Sequence, residues 1–166
     1  MPRPNTNPAT LRRLLQQELT LGKQLAVLAE AESEAIIGND IGRLEEIQRE
    51  QRHCLEQMAA LEAARMAATR DLAGMLGLDA APTLSGLLPR LSPREREALD
   101  RLRRHLLETQ ARLEELNARN RRLLENALEY VRFSLELLTT AALQPARYGT
   151  NLASVATPAF YIDSKA

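Results

Sequence analysis

The sequence predicts an all-α protein: an elongated antiparallel helical bundle or coiled coil with a long third helix and a flexible C-terminal tail. Only 3% of the 166 residues are aromatic and Trp is absent, a composition typical of long helices rather than of sheets. Three long segments carry apolar residues at helical spacing, and segments containing glycine or proline separate them. The hydrophobic content of 45% is enough to bury the core of one domain.

The first helix is predicted to span residues 8–37. Pro8 suits the first helical position because its φ is already fixed near the helical value and it has no N–H to satisfy. Asn7 before it is a favourable N-cap. Apolar residues then recur at heptad spacing: Leu14, Leu21, Leu28 and Ala35. Such a stripe lies on one face of the helix, and this face must be buried.

A short loop follows the first helix and predicts an antiparallel hairpin. We expect Gly38 to take the left-handed conformation that ends many helices. We expect Asn39 or Asp40 to cap the helix that comes next.

The second helix is predicted over residues 41–76. Its apolar heptad pattern has two polar exceptions, Gln51 and Arg65. A short connecting helix is expected over residues 83–91, where leucines recur at spacings of three and four.

The third long helix has the strongest start signal. Ser92, Pro93 and Glu95 form a capping box with proline at the first helical position. No Gly or Pro interrupts the following segment, so the helix is expected over residues 93–143, a length of about 75 Å at 1.5 Å per residue. The remaining residues, 144–166, lack periodicity and are expected to form the flexible tail.

Charge and composition argue against several classes of partner. The 22 basic and 22 acidic residues give a formal net charge of zero, which favours neither nucleic acid nor an anionic membrane surface. Charged residues interrupt every apolar run, so direct membrane insertion is not expected. A single cysteine and an N-terminus without an apolar signal segment predict a cytoplasmic protein.

No catalytic, metal or cofactor site is predicted. His53 and Cys54 are adjacent on the second helix, where their side chains diverge rather than converge on a metal. No phosphate-binding glycine-rich loop or nucleophile elbow occurs. Four carboxylates of the first helix are expected to face water or to pair with arginine: Glu18, Glu30, Glu32 and Glu34.

The third helix carries the candidate binding surface. Asn117 and Asn120 lie in mid-helix, and Asn120 falls on the apolar seam, where a buried amide can fix the register. A role in register and a role in binding are both compatible with the sequence. Beyond them a second apolar row runs beside the seam, here called the leucine face: Leu124, Leu128, Val131, Leu135 and Leu138. Either the first two helices or a partner helix must cover this face.

Several short motifs occur in a recognisable order along the chain. They are Ile36-Ile37-Gly38-Asn39-Asp40 after the first helix, Leu44 in the second, Leu116-Asn117-x-x-Asn120-x-x-Leu123 in the third, and Tyr148-Gly149 in the tail. In their order and spacing they resemble the FlgN family of flagellar type III export chaperones.

The resemblance implies a chaperone that binds the C-terminal helical segments of the hook–filament junction proteins FlgK and FlgL. It also implies delivery of these clients to the cytoplasmic domain of the export gate, with Tyr148 as the residue that docks there. We expect the client helix on the leucine face, with Asn117 and Asn120 upstream. Weak homodimerisation through the same face is compatible with this function. The alternative is a structural coiled-coil scaffold that forms a homo-oligomer and has no client.

Overall fold

The computed structural model describes residues 7–78 and 83–143. No strand occurs in these two ranges, which confirms the all-α prediction. The predicted tail, residues 144–166, lies outside the described residues, so the division into a bundle and a tail stays a prediction. The elements are α1 (Pro8–Ile37), α2 (Ile41–Met75), the single turn α3 (Leu84–Leu87), a 3₁₀ turn (Leu88–Arg90) and α4 (Pro93–Leu143).

The three long helices begin at local caps. Asn7 Oδ1 accepts a hydrogen bond from the backbone N–H two residues later at 3.1 Å, and Asp40 Oδ1 accepts one from the N–H three residues later at 2.9 Å. At α4 the backbone N–H of Ser92 donates to the Glu95 carboxylate at 3.3 Å, and the N–H of Glu95 donates to Ser92 Oγ at 3.4 Å. This reciprocal pair is a capping box, which satisfies two N–H groups that have no partner within the helix.

The turn between α1 and α2 corrects one expectation, because Asn39 and not Gly38 is left-handed. The φ angle is 52° at Asn39 and −76° at Gly38. Asn tolerates this conformation better than most side chains, so α1 can close its last turn one residue later than the glycine suggests. Gly38 has a different use, since a Cβ there would lie 3.3 Å from the Glu34 carbonyl oxygen.

The chain divides into two compact units, Met1–Ala127 and Leu128–Ala166. In the first unit α2 runs antiparallel to α1, because Glu18 and Glu32 of α1 contact Arg65 and Gln51 of α2 respectively. The α4 helix runs parallel to α1 there, since Gly22 lies against Thr109 and Ser33 against Asn120. The first unit is therefore an up–down–up bundle of three long helices.

The core of the first unit consists of two clusters of leucine-rich side chains. The larger joins α1, α2, the connecting turns and α4: Leu11, Leu15, Leu19, Leu72, Ala73, Leu87, Leu91, Leu99 and Leu102. The smaller lies near the α1–α2 turn: Leu28, Ala35 and Ile47. Burial of Leu87 and Leu91 shows that the short connection between α2 and α4 belongs to the core.

Candidate functional site

Asn120 lies in the interior of the first unit, where its amide joins α4 to α1. It is 3% exposed. Its Nδ2 donates to the Ala29 carbonyl oxygen and to Glu32 Oε2, each at 2.9 Å, and its Oδ1 accepts from the Ser33 hydroxyl. Gln51 Nε2 of α2 donates to the same Glu32 oxygen at 3.1 Å. One polar network thus connects all three long helices, which supports the register role for Asn120.

Asn117 does not join this network. It lies almost one turn earlier on α4 and is exposed to solvent. The structure therefore does not bring the two asparagines together. The Asn120 amide is buried inside the bundle, and the Asn117 amide is exposed on its surface.

A second buried polar contact joins Glu18 and Arg65, so of the two expected surroundings Glu18 has the arginine partner and does not face water. Glu18 is 7% exposed, and its Oε1 accepts from Arg65 Nε at 2.9 Å. Burial raises the pKa of Glu18, and the adjacent Arg65 guanidinium offsets part of this effect. The sequence held the signal, because Glu18 lies seven residues from both Leu11 and Leu25 and so shares their buried stripe.

The leucine face is open to solvent where the structure describes it. Leu124, in the first unit, is 40% exposed. The members in the second unit are more exposed: Leu128 56%, Val131 51%, Leu135 56% and Leu138 67%. Four large apolar side chains on one face of one helix form a surface suited to a partner helix.

A second exposed row, here called the aromatic face, was not recognised from the sequence. It consists of Tyr130, Phe133 and Leu137, which are 53%, 58% and 56% exposed. The signal was their spacing of three and four residues, which puts them on one helical face.

The described residues contain neither a metal-binding cluster nor a membrane-spanning helix. No group of three or more His, Cys, Asp or Glu side chains in them is arranged to hold a metal ion. His53 Nε2 instead forms a hydrogen bond with Gln57 Nε2 at 2.9 Å. None of the described helices is long and apolar enough to cross a membrane.

Comparison with known protein families gives the family of the chain. The model of the family described as FlgN protein matches residues 1–153. The chain belongs to the FlgN family. Comparisons with curated proteins and with solved structures gave no match.

Membership of the FlgN family makes the chain a flagellar export chaperone, with a role in flagellum biogenesis. The FlgN chaperones are a non-enzymatic family whose partners are flagellar export substrates. Most of the large apolar side chains on the two exposed faces of α4 are more than half exposed.

Proposed function

We propose that this FlgN chaperone acts in the cytoplasm, where it binds the C-terminal helical segments of the junction proteins FlgK and FlgL and carries them to the export gate. The observation that supports the proposal is the exposure of the leucine face, where Leu128, Val131, Leu135 and Leu138 are each more than half open to solvent. An amphipathic client helix would bury these side chains and would itself be kept from aggregating.

The energetics favour a contact distributed over the whole face. Each of these side chains is already partly covered by its own helix, so complete burial adds roughly 1 kcal/mol apiece. Association costs several kcal/mol in lost freedom of motion, so a single anchor is not sufficient. Client binding therefore needs most of the leucine face at once, which selects a helix over a short extended peptide.

The two asparagines have different parts in this proposal. Asn120 fixes the register of α4 against α1 immediately before the leucine face. Asn117 is exposed and can exchange hydrogen bonds with a polar side chain of the client. Neither amide contributes an apolar anchor.

The test places a charge on the leucine face. Val131→Asp and Leu135→Asp should each weaken binding of the FlgK C-terminal segment by ~30-fold or more, because the complex would bury an unpaired carboxylate. Isothermal titration calorimetry measures the affinity, and circular dichroism shows whether the helix persists. Ala111→Asp adds the same charge to an exposed position on α4 that precedes both faces and serves as the control. Normal client binding by folded Val131→Asp and Leu135→Asp would place the site elsewhere.

Delivery to the gate is proposed for Tyr148, which lies outside the described residues. Tyr combines a large apolar ring with a hydroxyl and loses little conformational entropy when bound, so it makes an effective anchor for a second partner. An anchor separate from the leucine face lets one chaperone hold a client and contact the gate at the same time.

A further inference from the structure

The two exposed faces of α4 together are wider than one client helix can cover. At 3.6 residues per turn, the arc from Leu128 through Val131 to Phe133 spans roughly 220° of the helix surface. A single packed helix covers a stripe of about 100°. One helix seated on the leucine face therefore leaves Phe133 and Leu137, now 58% and 56% exposed, in water.

The residue between the two faces suits two helices lying side by side. Ser134 is small, and its hydroxyl donates to the Tyr130 carbonyl oxygen of its own helix at 2.9 Å. This hydroxyl therefore needs no hydrogen-bond partner from a bound helix. A small residue at this point lets neighbouring helices approach α4 closely on both sides.

The charges that border the two faces differ in sign. Arg132 lies four residues after Leu128 and three before Leu135, at the edge of the leucine face. Glu129 lies four residues before Phe133 and Glu136 three after it, at the edge of the aromatic face. Within the described residues, neither of these glutamates forms an ion pair. A helix on the aromatic face would meet two carboxylates without ion-pair partners. One lies about a turn before Phe133 and the other about a turn after it.

We infer that the chaperone binds two amphipathic helices of one client, one on each face, and that the helix on the aromatic face carries Lys or Arg along the edge that meets Glu129 and Glu136. The inference rests on the proposed function, because it assigns the second half of the same client contact. Covering both faces buries the entire apolar arc of α4, which no single helix does.

Two probes and paired variants test the inference. The probes are full-length FlgK and a peptide of its last C-terminal helix, each titrated by calorimetry. Phe133→Ala with Leu137→Ala should weaken binding of full-length FlgK about tenfold or more and leave binding of the one-helix peptide within about twofold. Leu135→Ala with Leu138→Ala is the matched control on the leucine face, and it should weaken binding of both probes.

A charge-reversal variant tests the edge of the aromatic face that carries Glu129 and Glu136. Glu129→Lys with Glu136→Lys should weaken binding of full-length FlgK several-fold and leave the one-helix peptide unaffected, because like charges then face each other across the aromatic face. Glu108→Lys with Glu114→Lys, at exposed positions of α4 in the first unit, makes the same change in net charge and is the control.

The outcomes separate the inference from the proposed function. Full-length FlgK that binds the aromatic-face variants normally, while leucine-face variants lose binding, overturns the two-helix inference and leaves the proposed function intact. Client binding insensitive to both faces overturns both. If the aromatic-face variants abolish only self-association of the free chaperone, measured by analytical ultracentrifugation, the face belongs to a second copy of this chain and the inference is wrong.

Discussion

At the scale of single residues, two polar contacts fix how the helices of the first unit align. Asn120 forms hydrogen bonds with Ala29, Glu32 and Ser33 of α1, and Glu18 of α1 accepts a hydrogen bond from Arg65 of α2. Leucines alone would allow a helix to slide by one heptad with similar apolar burial. A slide would separate these polar partners and leave buried groups without hydrogen bonds, so the contacts favour a single alignment.

Removal of the buried amide should destabilise the protein. Asn120→Ala removes the hydrogen bonds that its amide forms with Ala29, Glu32 and Ser33 and leaves a small cavity, although the Ser33 hydroxyl still donates to the Ala29 carbonyl at 3.2 Å. We therefore expect the free energy of unfolding to fall by about 2 kcal/mol. Urea denaturation followed by circular dichroism measures the change. Asn117→Ala is the matched control, and it should be neutral or slightly stabilising because Asn117 is exposed and Ala is the better helix former. Equal effects of the two substitutions would show that the network contributes nothing.

The Glu18–Arg65 pair predicts a dependence of stability on pH. Burial raises the pKa of Glu18 above 4.5, so the folded chain holds this proton more tightly than the unfolded chain does. The contribution of Glu18 to stability is therefore greatest at low pH and falls as pH rises through and above 4.5. Arg65→Met removes the offsetting charge and should cost about 3 kcal/mol at pH 7, because deprotonation of the buried Glu18 then has no compensating partner. Most of this loss should disappear near pH 4, where Glu18 is protonated.

Thermal unfolding of Arg65→Met across this pH range measures the recovery. The double variant Glu18→Gln with Arg65→Met is the control, because it has no carboxylate to protonate and its loss should stay nearly constant with pH. A loss in Arg65→Met that is equally large at pH 4 and pH 7 would show that packing by Arg65, and not the charge of Glu18, is responsible.

At the scale of elements, α1 and α2 are each followed by a residue with a left-handed backbone, Asn39 and Gly77. Gly77 has a φ of 66°, and the N–H of Leu78 reaches back to the Ala73 carbonyl at 3.0 Å to close α2. Gly74, in the last turn of the same helix, has helical geometry and open space around it. Gly77 therefore has a backbone conformation that favours glycine, whereas Gly74 has a helical conformation that other residues adopt more readily.

The same substitution at these two glycines should change stability in opposite directions. Gly77→Ala forces a Cβ into the left-handed region and should lower the free energy of unfolding by about 1 kcal/mol. Gly74→Ala replaces a flexible helical residue, and its Cβ meets no atom within 4 Å, so it should raise that free energy by up to about 1 kcal/mol. Chemical denaturation of the two variants in parallel checks the signs, and a gain for Gly77→Ala would refute the assignment of the helix end.

The sequence predicted the elements better than the contacts between them. The caps at Asn7, Asp40 and Ser92 act within a few residues of chain, so local patterns were sufficient to place the helix starts. The pairing of Glu18 with Arg65 and the partners of Asn120 depend on side chains that lie far away along the sequence. No local rule supplies such partners, and the left-handed Asn39 shows that two adjacent candidates can compete even within one turn.

At the scale of the whole molecule, the residues that stabilise the fold and those proposed for binding lie in different parts of the sequence. Both core clusters belong to the first unit, whereas most of the leucine face and all of the aromatic face belong to the second. Substitutions on the exposed faces should therefore alter recognition without a large change in stability, which makes binding experiments on them interpretable.

The proposed gate anchor should be separable from client binding. Tyr148→Ala should leave helicity, thermal stability and the affinity for the FlgK segment nearly unchanged and should weaken capture of the chaperone–client complex by the cytoplasmic domain of the export gate. A pull-down with the immobilised gate domain measures capture. Tyr161→Ala changes the same type of residue in the same terminal segment and should have no effect. Loss of client binding in Tyr148→Ala, or unchanged capture, would show that Tyr148 has another role.

The exposure of α4 in the second unit affects how readily a bound client would be released. Side chains such as Leu135 and Leu138 are more than half exposed, so packing contributes little to the stability of this stretch of helix. The stretch 128–143 is also not much longer than the ~12–15 residues below which isolated helices are marginal in water. In the proposed function, part of the free energy of client binding would then stabilise this stretch of helix, which would lower the affinity and shorten the lifetime of the complex. We therefore expect this chaperone to release its proposed client at the export gate without a separate source of energy for unloading.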